Sequence, residues 1–273
     1  MSVLPVLAGS YSGPDGSGIR DYALDTTTGR LTQTSATSGV PYPAYLVQGP
    51  RPGWAYAVGE TTSSTDVGLG TVPAQTGTPG SVWALRPAAD GIGHEPAGSR
   101  PSEGDLPTHL SLHPGGRWLV VANYGAATIA GSVAVLPIRE DGSLGPVADL
   151  HRHEGAGPVE ARQRCAHVHS TIFTPDGRHL IAADLGADAL VTYRFDERDG
   201  RLMHAWTTPT PPGWGPRYLA WHPPTALLLA VGELACEVAA FEFDASLGRL
   251  RMESRVPTLL TQADGRSWPP TSR

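Results

Sequence analysis

The chain of 273 residues has few charged side chains and only two cysteines. Charged residues make up 17% of it, the formal net charge is −6, and no five basic residues cluster. Binding to a nucleic-acid backbone requires a concentrated basic surface, so we expect no nucleic-acid partner. Cys165 and Cys236 are too few for a disulfide framework and lack the spacing of zinc ligands.

Long apolar runs are absent as well. No segment approaches the roughly 20 apolar residues that a membrane-spanning helix requires, so no membrane association is expected. The first ten residues are apolar, but they lack the positive charge that precedes the apolar core of a signal peptide. We therefore expect the protein to be cytoplasmic.

Glycine and proline, in contrast, are abundant, with 33 and 26 residues. Two phrases alternate along the chain. In the first, at residues 43–58, 107–122, 169–183 and 216–231, an apolar strand and a turn precede a strongly apolar strand. In the second, a strand leads into a polar hairpin that closes with Gly-x-Leu, at Gly29, Gly142, Gly200 and Gly248. Glycine supplies the positive φ that such tight hairpins require.

These phrases recur with a period of about 45 to 65 residues, which is the spacing of propeller blades. We predict an all-β fold, a β-propeller of four-stranded blades in which neighbouring blades cover each other's apolar faces. The predicted domain spans residues 1–260, with a disordered or frayed tail at 261–273. A β-sandwich whose turn signals recur by chance is the competing architecture.

Equivalent residues of different blades lie on a ring around the central channel of a propeller. Counting back from the turn prolines reaches one such position, which holds Ala44, Thr108, His169 and Arg217. Counting forward past the second apolar strand reaches another, which holds Glu60, Tyr124 or its neighbour Asn123, Asp184 and Glu233. We therefore expect His169, Arg217, Asp184 and Glu233 to converge although they are distant in sequence.

Such a set suits the opening of a lactone, which needs a base to activate water and a cation to stabilise the oxyanion. His169 is the expected base, oriented by Asp184 or Glu233. Arg217 stays charged, and its planar guanidinium matches an oxyanion or a phosphate. Structural roles are the alternative, because a histidine can bond backbone carbonyls, an arginine can link blades, and an aspartate can form a turn.

Several short motifs resemble, in the same order, those of the lactonase family of seven-bladed propellers. They are Asn123-Tyr124-Gly125, Arg162-Gln163 with His167-Val168-His169-Ser170, Pro175-Asp176-Gly177, Asp184-Leu185-Gly186, Gly215-Pro216-Arg217 and Glu233-Leu234. The family includes propeller-type 6-phosphogluconolactonase and carboxymuconate cyclase. This resemblance implies a hydrolase that opens a sugar lactone, similar to 6-phosphogluconolactonase, without a cofactor or metal.

The resemblance points to four catalytic residues, namely His167, His169, Arg217 and Glu233. The candidates for substrate binding are Asp184, Arg162, Gln163, Glu60 and Asn123. A lyase of the carboxymuconate-cyclase type would use the same site, and a non-catalytic propeller that binds a ligand or a protein is the third hypothesis.

Two departures from the family pattern concern this site. A tyrosine, Tyr218, follows Arg217 where the family has histidine, and Gly232 precedes Glu233 where the family has asparagine. The chain also holds about five of the family's seven blades, as expected of a truncated product, a shifted reading frame or a fragment. A ring without two of its blades would expose sheet edges and an open channel.

Overall fold

The computed structural model describes residues 3–13, 15–64, 77–126 and 129–258, and their only regular secondary structure is β-strand. Strands that follow each other along the chain pair antiparallel to form five sheets, one of three strands and four of four strands. We number these sheets as blades 1 to 5 in chain order. The predicted tail at 261–273 lies outside the described residues, which include no helix able to cross a membrane.

The strands of the blades have the following bounds. Blade 1 contains β1 (Val3–Gly9), β2 (Ile19–Asp25) and β3 (Leu31–Thr37), and blade 2 contains β4 (Leu46–Gln48), β5 (Ala55–Gly59), β6 (Ser81–Pro87) and β7 (His94–Pro101). Blade 3 contains β8 (Pro107–Leu112), β9 (Trp118–Asn123), β10 (Ser132–Pro137) and β11 (Asp149–Arg152). Blade 4 contains β12 (Val168–Phe173), β13 (His179–Asp184), β14 (Ala189–Asp196) and β15 (Arg201–Pro209). Blade 5 contains β16 (Pro216–His222), β17 (Leu227–Gly232), β18 (Glu237–Asp244) and β19 (Arg249–Pro257).

The hydrophobic core lies between the blades. Strand β9 illustrates this, because Val120 and Ala122 join a buried cluster shared with blade 4. Leu119 and Val121, which point the other way, join a cluster shared with blade 2. Both faces of the strand are therefore buried, and this explains why its sequence is continuously apolar instead of alternating.

The first strands of blades 2 to 5 pack against one another in order, β4 on β8, β8 on β12 and β12 on β16. In three of them the pairing with the second strand skips residues at the start, where the strand bulges. The skipped residues are Thr108 in β8, His169 in β12, and Arg217 with Tyr218 in β16. A bulge redirects the side chain of the extra residue. The equivalence of Thr108, His169 and Arg217 expected from the repeat thus coincides with a repeated backbone irregularity.

The second predicted ring position needs a correction of one residue. The amides of Tyr124, Leu185 and Glu233 donate to the carbonyl just before the first strand of their blade, and the Glu60 amide donates to Tyr42, four residues before β4. Asn123, Asp184 and Gly232 come one residue earlier and pair with Pro107, Val168 and Pro216. Asp184 is therefore equivalent to Gly232 and not to Glu233. Because successive side chains of a strand point to opposite faces, this single step separates the two carboxylates.

The interblade core predicts a large effect of Leu119→Ala. Leu119 is fully buried between blades 2 and 3, and truncation there should lower the free energy of unfolding by about 2–5 kcal/mol. The matched control is Leu247→Ala, since Leu247 is 52% exposed in a hairpin of blade 5. Its effect should stay within about 0.5 kcal/mol. Urea denaturation of both variants measures the difference, and equal losses would contradict a core placed between the blades.

Candidate active site

A buried carboxylate between two guanidinium groups forms the centre of the candidate site. Arg217 comes from the bulge of β16, Glu233 directly follows β17, and Arg162 lies in the loop between β11 and β12. Nε of Arg217 lies 2.5 Å from one carboxylate oxygen of Glu233, and a terminal nitrogen of Arg162 lies 2.8 Å from the other. Both cations are thereby fixed by one anion, and they retain a net positive charge.

His169 lies beside this ion-pair network. Its side chain is buried, and its Nδ1 has no hydrogen-bond partner among the described residues. Burial and the nearby charge of Arg217 hold the pKa of His169 well below its usual value. The imidazole therefore stays neutral at physiological pH. The expectation that Asp184 or Glu233 orients His169 finds no contact in the described residues.

His167 is held by Tyr124. The two rings stack with centroids 4.4 Å apart and an interplanar angle of 11°, and Nδ1 of His167 lies 2.9 Å from the Tyr124 carbonyl oxygen. Only a protonated Nδ1 can donate to that carbonyl, so the neutral ring presents its Nε2 as an acceptor. Burial lowers the pKa of His167 as well. His167 and His169 meet on one tyrosine, since His169 packs edge-on against Tyr124 at 5.5 Å.

Aromatic side chains line the rest of the site. The guanidinium of Arg217 lies over the ring of Tyr218, 4.7 Å from its centroid, and the rings of Tyr218 and His169 are 5.3 Å apart. His109 packs against Tyr45 at 4.2 Å and Tyr218 at 5.9 Å, and burial lowers its pKa to about 3. Sequence reasoning missed Tyr45 and His109, although each follows a predicted ring residue as Tyr218 follows Arg217.

Glu60 occupies the same blade position as Glu233 but has different surroundings. It is 4% exposed, and the Tyr11 hydroxyl hydrogen-bonds to its carboxyl group. Its Oε2 has no hydrogen-bond partner among the described residues. Burial raises the pKa of Glu60 to about 7, although the Tyr11 hydrogen bond and the charge of Arg217 oppose the rise. Tyr11, in the loop after β1, is a third residue that sequence reasoning did not identify.

Asp184 lies behind the site, where both of its carboxylate oxygens form hydrogen bonds. One oxygen lies 2.8 Å from Nδ1 of His153, whose Nε2 lies 2.8 Å from the hydroxyl of Tyr193. The other accepts the backbone amides of His167 and Ala187 at 2.8 and 3.0 Å. The side chain is fully buried. These contacts place Asp184 as a support of the His167 backbone instead of a group that faces substrate.

Gln163 and Asn123 are also fully buried. The amide group of Gln163 accepts from the backbone of Val159 and donates to the carbonyl of Leu185, at 3.0 and 2.9 Å. Nδ2 of Asn123 donates to the Ser102 carbonyl at 3.0 Å, and its Oδ1 has no described partner. Gln163 thus anchors the loop that carries Arg162, and Asn123 ties the end of β9 to the neighbouring loop.

No three His, Cys, Asp or Glu side chains within the described ranges are grouped so that they could hold a metal ion.

Residues 5–270 match the family model described as "Lactonase, 7-bladed beta-propeller". The 6-phosphogluconolactonase of Bacillus subtilis is 37% identical over 149 residues, which is 55% of this chain and 41% of that protein. The periplasmic gluconolactonase of Pseudomonas aeruginosa has a similar structure, with a TM-score of 0.82 and 32% identity over 97% of this chain and 70% of that one. The expected propeller fold and the family resemblance are thereby confirmed.

A third relative, the 6-phosphogluconolactonase of Formosa agariphila, is 22% identical over 229 residues, or 83% of this chain and 60% of that protein. The chain thus spans less than two thirds of the length of these curated relatives. The region that matches the family model, residues 5–270, includes all of the site residues described above.

The contacts of Asp184 predict a structural effect of Asp184→Ala. The change leaves the buried His153 ring and two backbone amides without their acceptor, so the free energy of unfolding should fall by about 3–5 kcal/mol. Asp199→Ala is the control, since Asp199 is exposed and the Arg198 side chain with which it forms an ion pair is exposed as well. Thermal and urea unfolding measure both variants. An Asp184→Ala protein as stable as the control would contradict the supporting role.

Proposed function

We propose that this chain, which belongs to the Lactonase family of seven-bladed β-propellers, hydrolyses a sugar lactone of the 6-phosphogluconolactone type. The observation that carries the proposal is the fixed arrangement of two guanidinium groups on Glu233 beside the neutral imidazole of His169. The names of the B. subtilis and P. aeruginosa relatives, a 6-phosphogluconolactonase and a gluconolactonase, agree with this substrate class.

Arg217 supplies the cation that lactone opening requires. When water attacks the carbonyl carbon, negative charge develops on the carbonyl oxygen, and a donor fixed in advance stabilises it without reorganisation. Glu233 provides that fixation, because it holds Arg217 and Arg162 at the same time.

The neutral histidines suit the binding of water and substrate. Nδ1 of His169 lacks a partner among the described residues and can accept a hydrogen bond from the attacking water. The rings of Tyr45, His109 and Tyr218 offer an apolar surface to the carbon–hydrogen faces of a sugar ring. The site thus combines a polar side for the ester group with an aromatic side for the ring.

The cytoplasmic location of this chain stays a prediction. The P. aeruginosa relative is named as a periplasmic protein.

The proposal predicts that Arg217→Ala loses activity and keeps its fold. Loss of one oxyanion donor typically lowers kcat about 10²–10³-fold. Thermal stability should change little, because the Arg217 side chain is 36% exposed and Glu233 retains Arg162. Ring opening of gluconolactone and 6-phosphogluconolactone, followed by acid release, measures the effect.

Arg251→Ala is the matched control, since Arg251 forms exposed ion pairs on the last strand of blade 5. The control should retain the activity of the unmodified chain. Parallel loss of activity and melting temperature in Arg217→Ala would assign Arg217 a purely architectural role. An unmodified chain that opens neither lactone would contradict the proposed function.

A further inference from the structure

Two carboxyl groups at one blade position differ in their electrostatic surroundings. Glu60 and Glu233 each directly follow the second strand of their blade, and their amides donate to the carbonyls of Tyr42 and Gly215. Glu233 is paired with two guanidinium groups, and its charge is balanced by contact. Glu60 has one hydroxyl partner and forms no ion pair within the described ranges. A pair of acids treated so differently is typical of sites in which one acid transfers protons.

The unpartnered oxygen Oε2 of Glu60 destabilises the folded protein unless a hydrogen-bond donor contacts it. A buried polar atom without a hydrogen bond is destabilised relative to the same atom in water. Glu60 is 4% exposed, so bulk solvent does not satisfy it. The atom is therefore placed to receive a hydrogen bond from a bound water or a substrate hydroxyl. The charge of Arg217 lowers the pKa of Glu60, so the two groups interact electrostatically.

The histidines are poorly suited to hold the proton that hydrolysis releases. Burial keeps the pKa of His169 well below its usual value and lowers the pKa of His109 to about 3. A base is most effective when its pKa lies near the operating pH. Glu60, with a pKa near 7, meets this condition, and the charged or titratable groups facing it are Tyr11 and Arg217. Tyr218 lies beside Tyr11 and completes this set.

We propose that Glu60 is the proton-transfer residue of the site and that Tyr11 is its positioning residue. This inference rests on the proposed lactone hydrolysis. The water oxygen bonds to the carbonyl carbon, one water proton passes to Oε2 of Glu60, and the carbonyl electron pair moves onto the oxygen that faces Arg217. When the tetrahedral intermediate collapses, the bond from carbon to the ring oxygen breaks, and the ring oxygen takes the proton back from Glu60. Lactone and water thus become one hydroxy acid, and Glu60 is regenerated.

The first test is the activity of Glu60→Gln, which cannot accept the proton. Because general acid–base catalysis contributes about 10²–10⁴-fold, kcat/KM for the lactone should fall by at least about 100-fold. The matched control is Glu95→Gln, since Glu95 lies on the outer strand of the same blade in an exposed pair with Arg86. Melting temperatures of both variants confirm that they fold.

The second test is the dependence of kcat/KM on pH, which would not change if Glu60 and Tyr11 had only structural roles. In the unmodified chain kcat/KM should decrease as the pH falls through about 7, because the protonated Glu60 no longer accepts a proton. The Tyr11 hydrogen bond stabilises the carboxylate and lowers its pKa. Tyr11→Phe should therefore move this limb to higher pH, and it keeps the inference testable if Glu60→Gln fails to fold.

The outcomes separate the two proposals. If the unmodified chain opens no lactone, the proposed function fails, and the role of Glu60 fails with it. If the unmodified chain is active, then a Glu60→Gln variant within about threefold of it overturns only the role of Glu60. An unchanged limb in Tyr11→Phe overturns the positioning role in the same way. Loss of activity in Glu60→Gln with a shifted limb in Tyr11→Phe supports both.

Discussion

Burial of apolar surface between neighbouring sheets is the constraint on which the structure depends. A four-stranded sheet with two apolar faces cannot cover both, so each blade needs a neighbour on either side. Leu119 and Val120 are adjacent in β9, yet they belong to clusters on opposite sides of the sheet. This face-to-face stacking brings the first strands together, and with them the residues that start those strands. The candidate site is a consequence of how the core is divided.

Local backbone irregularity then decides what each blade contributes to the site. The bulges at the starts of β8, β12 and β16 single out Thr108, His169 and Arg217 by the same device. The Thr108 hydroxyl donates to the His169 carbonyl at 3.1 Å, while His169 and Arg217 contribute an imidazole and a guanidinium to the site. The position after the second strand likewise carries Glu60 in blade 2 and Glu233 in blade 5. The repeated backbone determines the position of each side chain, and the groups around that side chain determine its pKa and its contacts.

The sequence predicted the all-β fold, the blade repeat and the family, because strand periodicity and turn residues are local signals. It also identified the ring that holds His169 and Arg217. It misplaced Asp184 by one residue, since counting through a strand end is uncertain by one step and each step reverses the side chain. Tyr11 was missed for another reason. Its role comes from its hydrogen bond to Glu60 of the next blade, which no pattern within one repeat contains.

The site draws one or more groups from every blade, from Tyr11 in the first to Arg217 and Glu233 in the fifth. Synthesis proceeds from the amino terminus, and folding follows it in the same direction. A nascent chain that has emerged as far as blade 4 already carries Glu60, His167 and His169. It still lacks Glu233, which contacts both Arg162 and Arg217. The ion-paired guanidinium groups of the candidate site therefore form only when the fifth blade docks, late in synthesis.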